Sequence, residues 1–177
     1  MLTFLIGGAR SGKSALALQL ANDHDGAVTY VATSPRIEGD TDLDHRIDAH
    51  RAERSSAWTT IEEPFDLGAA LVAAADSFVI IDCLTLWVNN LLWRGDDEPA
   101  ILASTRDAAA TAGTRTAPTV VISNEVGLGV HPETEAGRRY RDVLGRVNQT
   151  WASAADRSLL LVAGRALPLH DPWSVLT

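Results

Sequence analysis

Short apolar runs alternate along the chain with longer stretches of helical spacing. The short runs are rich in β-branched residues and end at glycine or polar residues, a pattern typical of buried strands. Strands are predicted over residues 2–6, 28–32, 78–81, 119–122 and 159–162. Because helical patterns separate these runs, the chain is expected to form a mostly parallel α/β sheet with helices on both faces.

Longer stretches with a period near 3.6 predict the helices that would cover the sheet. These helices are expected over residues 14–22, 42–54, 65–75, 84–93, 100–112 and 138–155. The helix over 14–22, which carries Leu16, Leu18 and Leu20 among alanines, is expected to pack directly behind the preceding loop. In the helix over 138–155, the expected buried side comprises Tyr140, Val143, Leu144, Val147 and Trp151. The polar stretch 94–99 predicts a surface excursion.

A polar or glycine-containing segment follows each predicted strand. These segments begin at Gly7, Thr33, Asp82, Ser123 and Gly164. In open α/β sheets, ligands bind outside the carboxyl ends of the strands. We therefore expect the five segments to converge on one site.

The segment between the first predicted strand and the first helix matches the phosphate-loop pattern G-x-x-x-x-G-K-[ST] in full. It consists of Gly7, Gly8, Ala9, Arg10, Ser11, Gly12, Lys13 and Ser14. Backbone N–H groups of such a loop wrap a phosphate at the positive end of the following helix. Lys13 would bridge the terminal phosphates, and Ser14 would ligate Mg²⁺. The alternative is a glycine-rich turn that matches by chance.

Two further observations support a nucleotide site. Lys13 is the only lysine in the chain, beside fourteen arginines. A compact ammonium reaches between phosphates where a planar guanidinium fits badly, so the role of this position accounts for its residue type. A phosphate loop also needs a carboxylate near the metal, which Asp82 would supply at the end of a predicted strand. Alone, Asp82 would be better explained as a turn residue or a helix cap.

The charged helix predicted over residues 42–54 carries a histidine between two arginines. Arg46, His50 and Arg54 fall at i, i+4 and i+8, on one face. The arginines would hold a polyphosphate and favour the neutral imidazole, which can act as a nucleophile. Spacing alone favours the alternative, a solvated helix with ordinary Asp/Arg pairs.

Composition limits the classes of protein that are possible. A length of 177 residues predicts one domain over 1–177, and 46% apolar with 21% charged residues indicates an ordinary soluble globular chain. The net charge of −8 argues against broad nucleic-acid binding. A single cysteine, Cys83, allows no internal disulfide and suits a reducing cytoplasm. Neither a signal peptide nor a transmembrane segment is expected.

Several motifs carry a family resemblance. They are G-G-A-R-S-G-K-S at 7–14, Y-V-A-T-S at 30–34, R-I-D-A-H at 46–50, D-C-L-T-L-W at 82–87 and N-E-V-G-L-G at 124–129. Segments 58–64, 138–149 and 162–164 continue the match, so nearly the whole chain is covered in order. The chain resembles the bifunctional adenosylcobinamide kinase/adenosylcobinamide-phosphate guanylyltransferase family of cobalamin biosynthesis.

The resemblance implies a P-loop NTPase-type (RecA-like) fold and two reactions. A nucleoside triphosphate, ATP or GTP, would phosphorylate the aminopropanol hydroxyl of adenosylcobinamide. GTP would then give GMP to a histidine, and adenosylcobinamide phosphate would displace it to form adenosylcobinamide-GDP with release of pyrophosphate. The guanylylated histidine ends the R-I-x-x-H motif, which is His50 here. The resemblance also implies assembly as a homotrimer.

Further residues are expected at this site. Nucleotide-binding candidates beyond the phosphate loop and Asp82 are Ala32, Thr33, Ser34, Arg46, Arg51, Arg54 and Glu62. A loop that would close on the corrinoid contains Asn124, Glu125, Gly127 and Gly129. Each has a simpler alternative. Thr33 and Ser34 would merely cap the next segment, Glu62 would be a surface carboxylate, and the loop would be a simple turn. His131 and the segment 165–173 differ from the family pattern.

Two other functions remain open at this point. A small-molecule P-loop kinase with another alcohol substrate would transfer a phosphoryl group without any covalent GMP. A nucleotide-switch module would act through a partner, but the N-K-x-D guanine motif is absent and the one lysine already lies in the phosphate loop.

Overall fold

The computed structural model describes residues 1–35, 48 and 51–176. Of the helix predicted over 42–54, Asp48, Arg51 and Ala52 are helical, whereas residues 42–47, 49 and 50 lie outside the described residues. The predicted end was wrong, because Glu53 lies in a turn and Arg54 in a bend. His50 and Arg46 therefore carry no structural description.

Seven strands in the described ranges form one sheet. They are β1 (Leu2–Gly7), β2 (Val28–Ala32), β3 (Thr59–Glu62), β4 (Phe78–Asp82), β5 (Thr119–Asn124), β6 (Arg157–Val162) and β7 (Arg165–Leu169). The strand order is β3-β2-β4-β5-β1-β6-β7. All neighbours are parallel except β6 and β7, which pair antiparallel. The five predicted strands are confirmed, whereas β3 and β7 were not predicted.

Helices flank the sheet. Those in the described ranges are α1 (Lys13–Asn22), α2 (Leu67–Ala73), α3 (Leu84–Arg94), α4 (Glu98–Thr114), α5 (Glu135–Ala154) and α6 (Pro172–Leu176). The excursion predicted over 94–99 is shorter than expected, because Asp97 caps α4 by accepting a hydrogen bond from the Ala100 N–H. No helix in the described ranges is long and apolar enough to cross a membrane.

Alternate residues of each central strand face opposite core layers. In β1, Phe4 and Ile6 pack in the layer that α2, α3, α4 and α5 cover, whereas Leu5 packs in the layer that α1 covers. This alternation follows from the two-residue period of a strand. The expected α/β sheet with helices on both faces is confirmed.

Alanines form the side of α1 that packs against the sheet. Ala17 and Ala21 are fully buried against the sheet, whereas Leu20 is 38% exposed. Leu16 and Leu18 lie at the margin of the core. Small alanine side chains allow the helix to approach the strands closely, and the leucines cover its flanks. The buried side of α5 is as expected, with Tyr140 only partly buried.

Arg115 fastens the end of the sheet away from the phosphate loop. Its guanidinium donates from Nη1 to the Leu71 carbonyl at 2.6 Å and from Nη2 to the Ser77 carbonyl at 2.6 Å. Nε donates to Thr119 Oγ1 at 3.2 Å. The segments after α4, in α2 and before β4 are therefore held by one side chain.

Replacing Arg115 with methionine should lower the free energy of unfolding by about 2 kcal/mol, since acceptors lose charged donors and the aliphatic volume is largely kept. Urea denaturation would measure this loss. Arg106→Met, at an exposed position of α4, is the matched control and should change stability by about 0.5 kcal/mol or less. Equal free energies of unfolding for the two variants would contradict a stabilising role for the Arg115 hydrogen bonds.

Candidate active site

Strand register brings the predicted segments to one edge of the sheet. Asp82, at the end of β4, lies beside Ala32 of β2, and Ala32 lies beside Glu62 of β3. On the other side, Gly7 of β1 pairs with Asn124 of β5. The predicted convergence of polar strand ends is therefore confirmed.

The phosphate loop follows β1 and packs tightly against its neighbours. A Cβ atom on Gly7 would lie 2.3 Å from the Leu161 carbonyl oxygen, a separation no side chain tolerates. Gly12 has a φ of +102°, and a Cβ there would lie 3.2 Å from the Cα of Gly164. The Gly164 N–H donates to the Ser11 carbonyl at 3.0 Å. The two glycines of the motif are thus required by close backbone approach and by backbone conformation.

The Lys13 side chain folds over this loop. Its Nζ donates to the carbonyls of Gly7 at 2.9 Å and Gly8 at 2.7 Å, and lies 3.3 Å from Ser11 Oγ. Burial lowers the pKa of Lys13 from its ordinary value, an effect that Cys83 and Asp82 oppose. The ammonium is therefore held on the loop by neutral carbonyls, and no carboxylate of the described residues forms an ion pair with it.

The Asp82 carboxylate contacts the last residue of the loop. Its Oδ2 accepts from the Tyr30 hydroxyl at 2.6 Å and from Ser14 Oγ at 3.4 Å. A hydroxyl and a carboxylate oxygen so close together match the hard ligands that Mg²⁺ prefers. Clusters of three or more His, Cys, Asp or Glu are absent from the described residues. A cation at this pair would take its remaining ligands from phosphates and water, as Mg²⁺ commonly does.

Tyr30 links Asp82 to the segment that follows residue 50. Its ring is only 4% exposed, and the guanidinium carbon of Arg54 lies 3.5 Å from the ring centroid. Burial, followed by the charge of Asp82, raises the pKa of Tyr30 far above its ordinary value, so the phenol remains a donor. Sequence reasoning assigned Tyr30 no role, although a tyrosine hydroxyl in a buried strand needs a partner.

A threonine and an asparagine fasten the neighbouring strand ends. Thr33 Oγ1 donates to the Cys83 carbonyl and accepts from the Cys83 N–H, both at 2.8 Å. Asn90 Nδ2, from α3, donates to the carbonyls of Thr33 at 2.7 Å and Pro64 at 3.2 Å. The ends of β2 and β4 and the segment after β3 are therefore tied to one helix. Sequence reasoning missed Asn90, whose polarity on an otherwise buried helix face was the available signal.

The remaining groups near these strand ends have different environments. Ser34 Oγ is buried and has no hydrogen-bond partner among the described residues. Burial, followed by the charge of Asp82, raises the pKa of Cys83 to about 11. Cys83 is therefore a protonated thiol near neutral pH and a poor nucleophile.

The segment after β5 is anchored at its start. Asn148, from α5, accepts from Ser123 Oγ at 2.6 Å and donates to the Asn124 carbonyl at 3.2 Å. The Asn124 N–H donates to Thr85 Oγ1 at 3.1 Å, and the Glu125 N–H donates to the Gly7 carbonyl at 3.2 Å. The predicted corrinoid loop therefore starts against the phosphate loop.

Beyond this anchor the loop turns outward. The Gly127 N–H donates to the Glu125 carboxylate, while the side chains of Leu128 and Val130 are 87% and 95% exposed. His131 is also exposed and faces the Arg141 guanidinium, with Nη1 and Nδ1 3.4 Å apart.

The structure thus brings together Lys13, Ser14 and Asp82 at the loop, and Tyr30 links Asp82 to Arg54. Arg51 and Glu62 are exposed, the latter at the sheet edge. The nucleotide role of each residue stays a prediction.

The fold resembles a known nucleotide-hydrolysing enzyme. An ATPase from the type III secretion system of pathogenic bacteria superposes with a TM-score of 0.57 at 12% identity, covering 91% of this chain and 51% of the longer one. At this identity the likeness shows the fold alone, an α/β fold of the P-loop type.

Sequence comparison is more specific. A Pseudomonas aeruginosa protein named bifunctional adenosylcobalamin biosynthesis protein CobP is 42% identical over 172 residues, 96% of this chain and 97% of the relative. The Escherichia coli and Salmonella typhimurium proteins named bifunctional adenosylcobalamin biosynthesis protein CobU are each 36% identical, over 93% of this chain and 97% of their own.

A family model described as cobinamide kinase / cobinamide phosphate guanyltransferase matches residues 3–169. That match spans the phosphate loop, Asp82 and the loop after β5. The chain belongs to this family of enzymes, which couple a kinase and a guanylyltransferase activity in cobalamin biosynthesis.

Proposed function

We propose that this enzyme phosphorylates the aminopropanol hydroxyl of adenosylcobinamide with ATP or GTP and then guanylylates the product through His50. One observation carries the second step. Arg54, four residues after His50, stacks on Tyr30, and the Tyr30 hydroxyl donates to Asp82 beside Ser14. Tyr30 and Asp82 therefore link Arg54 to Ser14, the last residue of the phosphate loop, which supports a place for His50 near the triphosphate.

In the first reaction, the substrate hydroxyl oxygen forms a bond to the γ-phosphorus and the bond from that phosphorus to the β,γ-bridging oxygen breaks. A nucleoside diphosphate leaves, and the hydroxyl proton is lost. Loop N–H groups and Lys13 position the phosphates and neutralise the charge that develops on them. Ser14 and Asp82 would hold Mg²⁺, which supplies additional charge neutralisation on the phosphates.

In the second reaction, a nitrogen of the His50 imidazole attacks the α-phosphorus of GTP and pyrophosphate leaves. A phosphate oxygen of adenosylcobinamide phosphate then attacks the same phosphorus and releases the imidazole, giving adenosylcobinamide-GDP. Covalent catalysis replaces one difficult transfer with two displacements. Arg46, Arg51 and Arg54 would hold the triphosphate, and Ala32, Thr33, Ser34 and Glu62 would line the nucleoside.

The loop after β5 suits a large substrate. Asn124 and Glu125 are fixed against the phosphate loop, whereas Gly127 and Gly129 allow the exposed Leu128 and Val130 to turn inward. Apolar side chains exposed on an anchored loop can cover the apolar edge of a corrinoid once it binds.

We also propose that residues 1–177 act as one P-loop domain in a cytoplasmic homotrimer. Exposed apolar side chains at the β7 end of the sheet support association with other subunits. They are Val162, Leu167, Leu169, Trp173, Val175 and Leu176.

GTP labelled at the α-phosphate should transfer label to the protein as an acid-labile, alkali-stable phosphoramidate. His50→Ala should abolish the adduct and leave phosphorylation of adenosylcobinamide within about threefold of wild type, since the two nucleophiles differ. His45→Ala, five residues earlier, is the control and should retain the adduct. Label that persists in His50→Ala would refute the assignment. Phosphorylation without any adduct in wild type would favour a simple kinase.

Lys13→Arg should reduce the kinase turnover by about a hundredfold or more, because the guanidinium cannot occupy the compact space above the loop. Formation of the nucleoside diphosphate with adenosylcobinamide as acceptor would measure this. Arg10→Lys, at the turn of the same loop, is a matched exchange in the opposite direction and should cost much less. Near-wild-type turnover of Lys13→Arg would show that charge alone suffices at this position.

A further inference from the structure

Tyr30 occupies the centre of a chain of contacts that joins two parts of the active site. Its hydroxyl donates to Asp82 Oδ2 at 2.6 Å, and its ring supports the Arg54 guanidinium at 3.5 Å. We propose that Tyr30 is a positioning residue for both transfers: it orients the carboxylate of the phosphate site and seats the arginine that ends the His50 segment. This inference rests on the proposed function and extends it to a residue without a role so far.

The contact with Asp82 fixes a carboxylate that would otherwise rotate. Ser14 Oγ reaches the same oxygen at 3.4 Å, a longer and weaker contact than the one from Tyr30. Both donors reach the same charged oxygen, so the shorter bond from the phenol dominates the orientation of the carboxyl group.

The ring of Tyr30 supports the Arg54 guanidinium, whose Nε–H is available for a further hydrogen bond. Arg54 Nε is buried and has no hydrogen-bond partner among the described residues, and such a donor costs free energy while it stays unpaired. Stacking on the ring offsets part of this cost through the cation–π attraction. An anionic oxygen placed at Nε would satisfy the donor, and a nucleotide phosphate supplies such an oxygen.

A role in core packing alone would account for the ring of Tyr30 but not for its hydroxyl. The ring packs in the layer that contains Phe78 and Ile80, where phenylalanine would serve equally well. Tyr30→Phe therefore separates the two explanations, because it keeps the ring and its stack with Arg54 and removes only the donor to Asp82.

The test measures the binding of GTP by calorimetry, with excess EDTA and over a Mg²⁺ titration. For Tyr30→Phe, we expect the Kd for GTP in EDTA to be unchanged. The Mg²⁺ requirement, defined as the Mg²⁺ concentration that gives half of the metal-dependent gain in affinity, should rise roughly tenfold. Tyr140→Phe is the matched control. It removes the other tyrosine hydroxyl, which donates to the Thr85 carbonyl at 3.2 Å, and should leave the Mg²⁺ requirement unchanged. An unchanged requirement in Tyr30→Phe would overturn the positioning of Asp82.

The contact with Arg54 is tested by the rate of GMP loading on His50. At saturating Mg²⁺, loading by Tyr30→Phe should return to within about threefold of wild type, whereas Tyr30→Leu should remain at least tenfold slower because the ring is lost. Arg54→Met should reproduce that defect without changing the Mg²⁺ requirement. If circular dichroism shows that Tyr30→Leu is unfolded, Arg54→Met replaces it in this measurement. Recovery of either variant at high Mg²⁺ would overturn the coupling.

The two proposals can fail separately. If wild-type protein forms no GMP adduct, the proposed guanylyl transfer falls, whereas the Mg²⁺ titration of Tyr30→Phe still decides whether Tyr30 orients Asp82. If the adduct forms and the titration curves of wild type and Tyr30→Phe coincide, only the inference about Tyr30 falls.

Discussion

The hydrogen bonds that meet at Asp82 Oδ2 join the elements on which the site depends. Ser14 belongs to the first turn of α1, Tyr30 to β2 and Asp82 to β4, and the side chains of Ser14 and Tyr30 meet at one carboxylate oxygen of Asp82. The carboxylate lies between a hydroxyl suited to a cation and a phenol beneath an arginine. Its orientation therefore affects both the phosphate loop and the segment that carries His50.

The rest of the site is organised by polar side chains that tie strand ends to helices. Thr33 and Asn90 fasten β2, β4 and the segment after β3, while Asn148 and Thr85 fasten the end of β5. A typical hydrogen bond of this kind contributes about 1 kcal/mol, and an orphaned partner costs more. These buried side chains thus specify where each loop begins, which a purely apolar core would not do.

This division of labour explains how one small fold can serve two transfers. In the proposed reactions, the anchored parts would hold the triphosphate in both steps. The exposed parts, Leu128 and Val130 after β5, project from a fixed base. A rigid phosphate site with an adjustable cover fits successive acceptors that share a corrinoid but differ at the reacting oxygen.

Local sequence alone determined much of this protein. The five strands with continuous apolar runs, the helices beside them and the phosphate loop follow from periodicity and from residue types fixed by backbone geometry. The order of motifs along the chain then identified the enzyme family. By contrast, β3 and β7 lack that signal: neither contains a buried residue, and β7 includes Pro168 at the sheet edge.

Only the tertiary structure assigned Tyr30, Asn90 and Arg115 their contacts. Tyr30 and Asp82 are separated by 52 positions, and their meeting depends on the register of β2 against β4. The structure likewise shows that Ala17 and Ala21, and not Leu20, form the buried side of α1. A sequence pattern shows which residues can be buried, but partners distant in sequence are chosen by strand register and helix packing.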